Sequence, residues 1–360
     1  MKVQSITYCN FRNIREASIT FDAGANLLFG ANAQGKTNAL EGLFLFAQGR
    51  SFRTPHEREF VGPDGDFASA TLRFESGGIN RSLSMRFFRD GKKSCLVGNA
   101  PVRRMSEFVG RFRAVLFCPA NLSIVRGGPG ERRAFIDCAL SQIDPAYLKI
   151  LSSYNNILSQ RNAFLVSLRD AGARPGERDA DMAQVLSEQL AAAAARVSDK
   201  RDEYCRELCE AASEYLGLMS GGKEKLVLKC RRAQGEEEYL ASYKANLERE
   251  IRMGTTLFGP HKDEIEIELN NMSARSYCSQ GQQRSIVLAM KLSEAKISER
   301  RTGEYPVLLL DDVLSELDGA RKEFLLSGLG AHQVIITTCE DESSFAYADK
   351  KIKVENGVYT

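Results

Sequence analysis

No stretch of the chain runs to the roughly 18 consecutive apolar residues that a membrane-spanning helix requires, and the opening MKVQSITYCNF lacks the apolar run of a secretion signal. A cytoplasmic protein with no membrane association is therefore expected. Nine cysteines include no CxxC pair; the nearest two, Cys205 and Cys209, stand one helical turn apart, with no clustered histidines nearby. Reduced thiols are expected in place of disulfides or a zinc site. Internal repeats are absent, and the only biased tract is the alanine run 191–195, which favours helix.

What is present suits a sizeable globular protein. The 360 residues are 43% hydrophobic and 27% charged, enough for two domains or for one large domain with an insertion. Net charge is only +2, but it is unevenly spread. Between Arg81 and Arg133 stand twelve basic residues against three acidic ones, so the remainder of the chain is net acidic. Such a segment fits a phosphate-backbone partner, or simply a solvated strand surface.

The first 120 residues read as strands and turns: VQSITYCNF, ASITF, NLLFG, ATLRF, RSLSMRFF, KSCLV and AVLF, with one helix after Gly35. From Glu131 the pattern turns helical. Asp144-Pro145 opens a long segment with Leu151, Tyr154, Leu158, Arg161, Leu165 and Leu168 at three- and four-residue spacings. The loop AGARPGERD then leads to a second segment from about Ala180 to Leu218, predicting an antiparallel helical hairpin. Beyond Lys225 the strands LVLKC and IEIEL, a helix over 237–253, PVLLLDD and VIITT as buried strands, and the hairpin KIKVENGVY restore a mixed pattern. The expected architecture is α/β: residues 1–125 and 225–360 form one lobe assembled from both ends of the chain, and 126–224 form an inserted helical lobe.

Gly30-Ala31-Asn32-Ala33-Gln34-Gly35-Lys36-Thr37 matches GxxxxGKT between an apolar strand and a helix, the setting a P-loop requires. Its glycines let backbone N–H groups wrap phosphates, Lys36 reaches the β and γ phosphates, and Thr37 ligates Mg²⁺. A metal-bound phosphate site needs a further carboxylate, and VLLLDD at 307–312 supplies Asp311 and Asp312 at the end of a buried strand. Asp311 is the candidate Mg²⁺ ligand and Asp312 the candidate to orient or deprotonate an attacking water. SQGQQRS at 279–285 opens a third feature, a helix start. Ser279 with Gln282 fits a capping box, which leaves Gly281 and Gln283 unexplained.

Together these motifs resemble those of ABC-type P-loop ATPase heads: Ser279, Gln280, Gly281 and Gln282 as the signature, VLLLDD as the Walker B strand, and Ser315 to Asp318 as the D-loop. The resemblance narrows to the RecF family of DNA repair proteins. It rests on NFRNI at 10–14, GANAQGKTNALEG at 30–42, GGPGERRAFID at 127–137, FGPHKDE at 258–264, SQGQQRS, and LLLDDVLSELD at 308–318, in family order. It implies an ABC-type head with a short helical hairpin and no long coiled coil. Two heads pair with ATP shared between them, each signature contacting in trans the nucleotide on the other P-loop. Slow ATP hydrolysis serves as a switch that resets the dimer. The implied partners are duplex DNA near single-strand gaps, RecR, and through it RecO and the RecA recombinase.

Within the basic segment Arg103, Arg104, Arg132 and Arg133 are candidate DNA contacts, with anchoring of the helical lobe the alternative for the last two. Arg12 and Asn13 either approach the nucleotide or shape a turn. Departures from the wider ABC pattern are clear: Asp312 replaces the usual glutamate, FCPANL carries no Q-loop glutamine, and no histidine follows VIITT, where Thr337 or Thr338 is the substitute γ-phosphate sensor. The alternatives, a transporter ATPase subunit and an SMC-type chromosome organiser, fit less well. The first expects LSGGQ and the missing histidine, the second far longer helical arms.

Overall fold

The computed structural model of the chain describes residues 1–63, 65–172, 176–230, 234–329, 332–339 and 348–360; residues 173–175 of the AGARPGERD loop lie outside these. Strands β1 (Lys2–Phe11), β2 (Ile14–Thr20) and β3 (Ala25–Phe29) lead into α1 (Lys36–Gln48). Next come β4 (Phe67–Ser76), β5 (Ile79–Phe88), β6 (Lys93–Val97), β7 (Ala100–Val102) and β8 (Ala114–Phe117). Helices α2 (Ser123–Arg126), α3 (Pro129–Ile143), α4 (Pro145–Ala171) and α5 (Glu177–Ser220) precede β9 (Leu226–Cys230), α6 (Glu236–Met253), β10 (Ile265–Leu269), β11 (Met272–Ser273) and α7 (Ala274–Tyr277). The chain closes with α8 (Gln280–Thr302), β12 (Val307–Asp311), α9 (Gly319–Leu329), β13 (Val334–Thr338), β14 (Lys350–Glu355) and β15 (Val358–Tyr359).

Two six-stranded sheets build the head. One is antiparallel in the order β2-β1-β4-β5-β6-β7; the other is β15-β14-β3-β13-β12-β8, in which β14, β3, β13, β12 and β8 run parallel. In β4 apolar Ala68, Ala70, Leu72 and Phe74 are buried and alternate with Ser69, Thr71 and Arg73, so only one face of this sheet meets the core. β12 and β13 are buried at every position, including Asp311, Thr337 and Thr338 at the ends of their apolar runs. Val307 and Leu309 pack toward α1 and the antiparallel sheet, whereas Leu308 and Leu310 pack toward α8 and α9. The layers are thus antiparallel sheet with α1, parallel sheet, then α8 with α9.

A separate apolar cluster runs from Ile124 to Ile297 and joins α3, α4 and α5 with β9, α6, β10 and the near side of α8. Residues 226–269 thus share a core with the helices before them, through the small sheet β11-β10-β9. Asp144 starts α4 by accepting from the N–H groups of Ala146 (2.9 Å) and Tyr147 (3.1 Å), with Pro145 in the first helical position. Arg161, one of the periodic positions read from sequence, is buried as a cation: it pairs with buried Glu250 at 2.7 Å and stacks over Tyr243. Among the described residues no helix is long and apolar enough to cross a membrane.

Candidate nucleotide-binding site

The loop between β3 and α1 has the backbone a phosphate cradle needs. Gly30 and Gly35 have φ of 150° and 118°, and Ala33 adopts the left-handed region at 63°. A side chain at Gly30 would place its Cβ 2.3 Å from the carbonyl oxygen of Val354, so β14 presses directly on the loop. Gly35 caps α1 with no side-chain hydrogen bond, leaving the helix start open to an anion. Lys36 Nζ donates to the carbonyls of Gly30 and Ala31, both at 2.7 Å, and so spans the cradle from its own helix.

The terminal hairpin holds this loop in place. Asn356 N–H donates to Gln34 Oε1 (2.6 Å), Gly357 N–H to the Gln34 carbonyl (2.9 Å), and Tyr359 hydroxyl to the Gly35 carbonyl (3.0 Å). KIKVENGVY was legible as a hairpin, but its grip on residues more than three hundred positions earlier follows only from the strand order β15-β14-β3.

Because β13 lies between β3 and β12, the parallel register brings Asp311 to the mouth of the loop. Thr37 Oγ1 and Thr337 Oγ1 both donate to Asp311 Oδ1 at 2.8 Å. Asp311 is only 7% exposed, and burial pushes its carboxyl above the ordinary carboxylate range, while the hydrogen bonds from Thr337 and Thr37 oppose that rise. Asp312 has φ of 52°, a left-handed conformation fixed by its N–H, which donates to the Thr337 carbonyl (3.2 Å) and hydroxyl (3.1 Å). Thr337 therefore orders both acidic residues at once. Thr338 is buried in β13.

Arg12 and Asn13 form a turn against the first turns of α1, and the Asn13 amide also lies 3.1 and 3.3 Å from the position of an added Cβ at Gly35 of the loop. Arg12, at φ 57°, forms a forked pair with Glu41 of α1 (2.8 and 3.1 Å), and Glu41 is fully buried. Ser51 and Arg53 also donate to Glu41, and Arg53 in turn bonds Asn38, which donates to Asn13. This network, which sequence reasoning missed, ties the NFRNI turn to the first two turns of α1.

The SQGQQ helix start carries the predicted capping box: Ser279 N–H donates to Gln282 Oε1 (3.0 Å) and Gln282 N–H to Ser279 Oγ (3.2 Å). Gln283 also finds its reason: it is buried, accepts from Arg126 Nε at 2.5 Å and donates to the carbonyls of Ala274 and Cys278. Ser279 and Gln280 are exposed, and among the described residues no hydrogen bond joins 279–282 to 30–37. Gly281 faces Arg321 of α9, whose guanidinium lies 3.4 Å from the position of an added Cβ. Arg321 donates to Ser285 Oγ (2.6 Å) and pairs with Asp318, while Ser315 Oγ donates to the Asp312 carbonyl (2.8 Å). Signature, D-loop and Walker B end form one connected edge.

The arginine candidates divide. Arg103 and Arg104 are exposed between β7 and β8. Arg132 is 7% exposed and spends its guanidinium on Glu264 (2.6 and 3.1 Å) and the Gly127 carbonyl (2.9 Å), which removes it as a surface contact and makes it an anchor between α3 and the segment before β10. Arg133, half-buried, donates to the Asp263 carbonyl at 2.6 Å. Several other cations of the basic segment are also engaged internally: Arg89 with the carbonyls of Gly62, Pro63 and Gly65, Lys93 with Glu57, and Arg113 with Glu304.

The RecF/RecN/SMC N terminal domain family matches residues 2–358. A protein named DNA replication and repair protein RecF from Ligilactobacillus salivarius is 36% identical, over 100% of this chain and 97% of its own; its namesake from Lactobacillus acidophilus is 36% identical over 95% and 93%. The chain belongs to the RecF family. The solved recombination mediator protein RecF-ATP of the RecFOR pathway superposes with a TM-score of 0.93 at 32% identity, covering 100% of this chain and 97% of that one. An SMC head bound to the winged-helix domain of ScpA shares the fold alone, with a TM-score of 0.58 at 16% identity. The ABC-type head with a short helical hairpin is thereby the fold of this RecF-family chain, and an SMC arm of long coiled coil is not part of it.

Proposed function

We propose that this chain is an ATP-dependent DNA-binding protein of recombinational repair and replication, a switch whose dimer forms on ATP binding and is reset by slow hydrolysis. The observation that carries the reading is the position of the signature: Ser279 and Gln280 are presented outward at a helix start whose bonds go to α9 and Glu224, away from the chain's own P-loop. The N–H groups that the Ser279–Gln282 capping box leaves unused at that helix start are available to an anion from outside the monomer, and a second copy with ATP on its P-loop supplies one.

The residues fit Mg²⁺ with ATP. Thr37 Oγ1 and Asp311 Oδ1 lie within 2.8 Å of each other, a hydroxyl and a carboxylate of the type that hold a hard cation. Lys36 would exchange its bonds to the Gly30 and Ala31 carbonyls for phosphate oxygens. When bound, the metal neutralises charge on the phosphates. Asp312, held by Thr337, orients water toward that site; its side chain is one methylene shorter than the usual glutamate, which is consistent with slow turnover. Sharing ATP between two chains makes dimer stability a function of nucleotide, and hydrolysis removes the contact. Duplex DNA near single-strand gaps, RecR, and through it RecO and RecA are the proposed partners.

Sedimentation of the parent and of Ser279→Arg, with ATP and Mg²⁺ and with or without gapped DNA, tests the reading. Nucleotide-dependent dimers are expected for the parent and ATP-binding monomers for the variant. A variant that dimerises like the parent would refute the trans contact.

A further inference from the structure

Two motifs of this chain, GGPGERRAFID and FGPHKDE, take no part in the nucleotide site, yet they converge. Arg132 bonds Glu264, Arg133 bonds the Asp263 carbonyl, and Asp137 shares Arg201 with the carbonyl of Pro260. Beside this junction, between the end of α1 and the helices α3, α4 and α5, lies a cavity of about 380 Å³. Arg50, Arg133 and Arg201 line it against one carboxylate, Asp137.

The carboxylate is already committed. Asp137 accepts a fork from Arg201 at 2.9 Å on each oxygen and the Tyr147 hydroxyl at 2.5 Å. His261 contributes no charge: its Nε2 faces the Thr256 carbonyl, which only accepts, so Nε2 carries the proton and Nδ1 accepts from Tyr154. Burial lowers the His261 pKa, and Arg133 and Arg201 add to the effect. Arg50 and Arg133 remain. Among the described residues neither forms an ion pair; Arg50 donates to the Cys138 sulfur at 2.6 Å, a weak acceptor, and Arg133 to a single carbonyl. Arg50 is exposed, so the pocket opens to solvent, and Ser141 and Asn155 add neutral polar groups to its wall.

We propose that this pocket is a phosphate site that seats one backbone phosphate of a nucleic-acid strand. Arg201 is neutralised by its fork to Asp137 and by Asp263 at 3.8 Å, which leaves the two guanidinium groups of Arg50 and Arg133 with unfilled donors, a match for a tetrahedral oxyanion with several acceptors. Hydroxyl and amide neighbours are the usual companions of such a contact. The assignment rests on the DNA-binding reading above. It locates that contact in the cleft between head and helices, apart from the exposed Arg103 and Arg104.

The test measures DNA binding of the full chain, with ATP and Mg²⁺, across a salt series for the parent, for Arg50→Gln with Arg133→Gln, and for Arg103→Gln with Arg104→Gln. The pocket variant is expected to lose about tenfold or more in affinity, and its log–log salt slope should fall by about 0.9 per phosphate released. ATP-dependent sedimentation should stay at the parent value, which excludes misfolding, and Arg50→Lys with Arg133→Lys should recover part of the loss. A pocket variant no weaker than the Arg103 and Arg104 variant overturns the pocket while leaving DNA binding standing. A parent that does not bind DNA overturns both. Inorganic phosphate and a polyglutamate peptide serve as competitors; neither is expected to displace the oligonucleotide at matched charge, and equal competition by either overturns the nucleic-acid assignment.

Discussion

The starts of α1 and α8 are built on opposite plans. α1 begins at Gly35 with no side-chain cap, and the loop before it is strapped by β14 and β15. α8 begins at Ser279 with a complete capping box of its own. The uncapped start has a ready partner in any phosphate and needs a rigid support to stay open. The capped start is stable in the monomer, so an anion added there gains from the helix field and the unused N–H groups without having to create the helix. One site is made by this chain alone, and the other is proposed to be finished by a second copy.

The largest break in that contrast is expected from Lys36→Ala. Nucleotide affinity should fall by about two orders of magnitude or more, given ~1.5–3 kcal/mol for each hydrogen bond to a charged group. Equilibrium titration with a fluorescent ATP analogue reads this, and thermal unfolding without nucleotide should fall only modestly, since the loss there is two part-buried hydrogen bonds from Lys36 to loop carbonyls.

Thr337→Val is expected to act next most strongly. Thr337 and Thr37 hold the Asp311 carboxyl down against burial, so losing one donor pushes it further up. In the metal-free fold this raised carboxyl stabilises while protonated, an effect present below its unfolded pKa and lost as pH rises through the folded one. Mg²⁺ needs the carboxylate, so Mg·ATP affinity should weaken as pH falls, and the variant's acid limb should move to higher pH. Binding titrations at several pH values decide this; an unshifted limb would remove Thr337 from the role.

Gln282→Ala sharpens the other side and should have the smallest effect. It removes half of the capping box at a cost of about 1 kcal/mol, visible in chemical denaturation. ATP affinity of the monomer should be unchanged, and dimerisation should weaken only modestly.

The same pair of helix starts shows what a sequence reveals. GxxxxGKT and the apolar run into Asp311 were legible because their physics is local: glycines at fixed spacing and a strand buried on both faces. Gln283 was not, and for Arg132, read as a candidate anchor, and Arg161, read as a periodic helix position, the partners were not. Their burial is decided by Arg126, Glu264 and Glu250, each roughly ninety or more positions away. The count of cations between Arg81 and Arg133 misleads in the same way, since Arg89, Lys93, Arg113 and Arg132 answer internal acceptors. β7 went unread because three residues with a proline carry almost no periodicity. Residues 226–269 gave no sign in their own pattern that they would share a core with the helices before them.

The strap on the P-loop bears on how the protein is made. β3 lies between β13 and β14, so both of its hydrogen-bonding neighbours emerge from the ribosome some three hundred residues after it does. Until then the strand before the Gly30 to Thr37 segment lacks both of its sheet neighbours. A chain cut short before β14 is left without the support that holds the loop open.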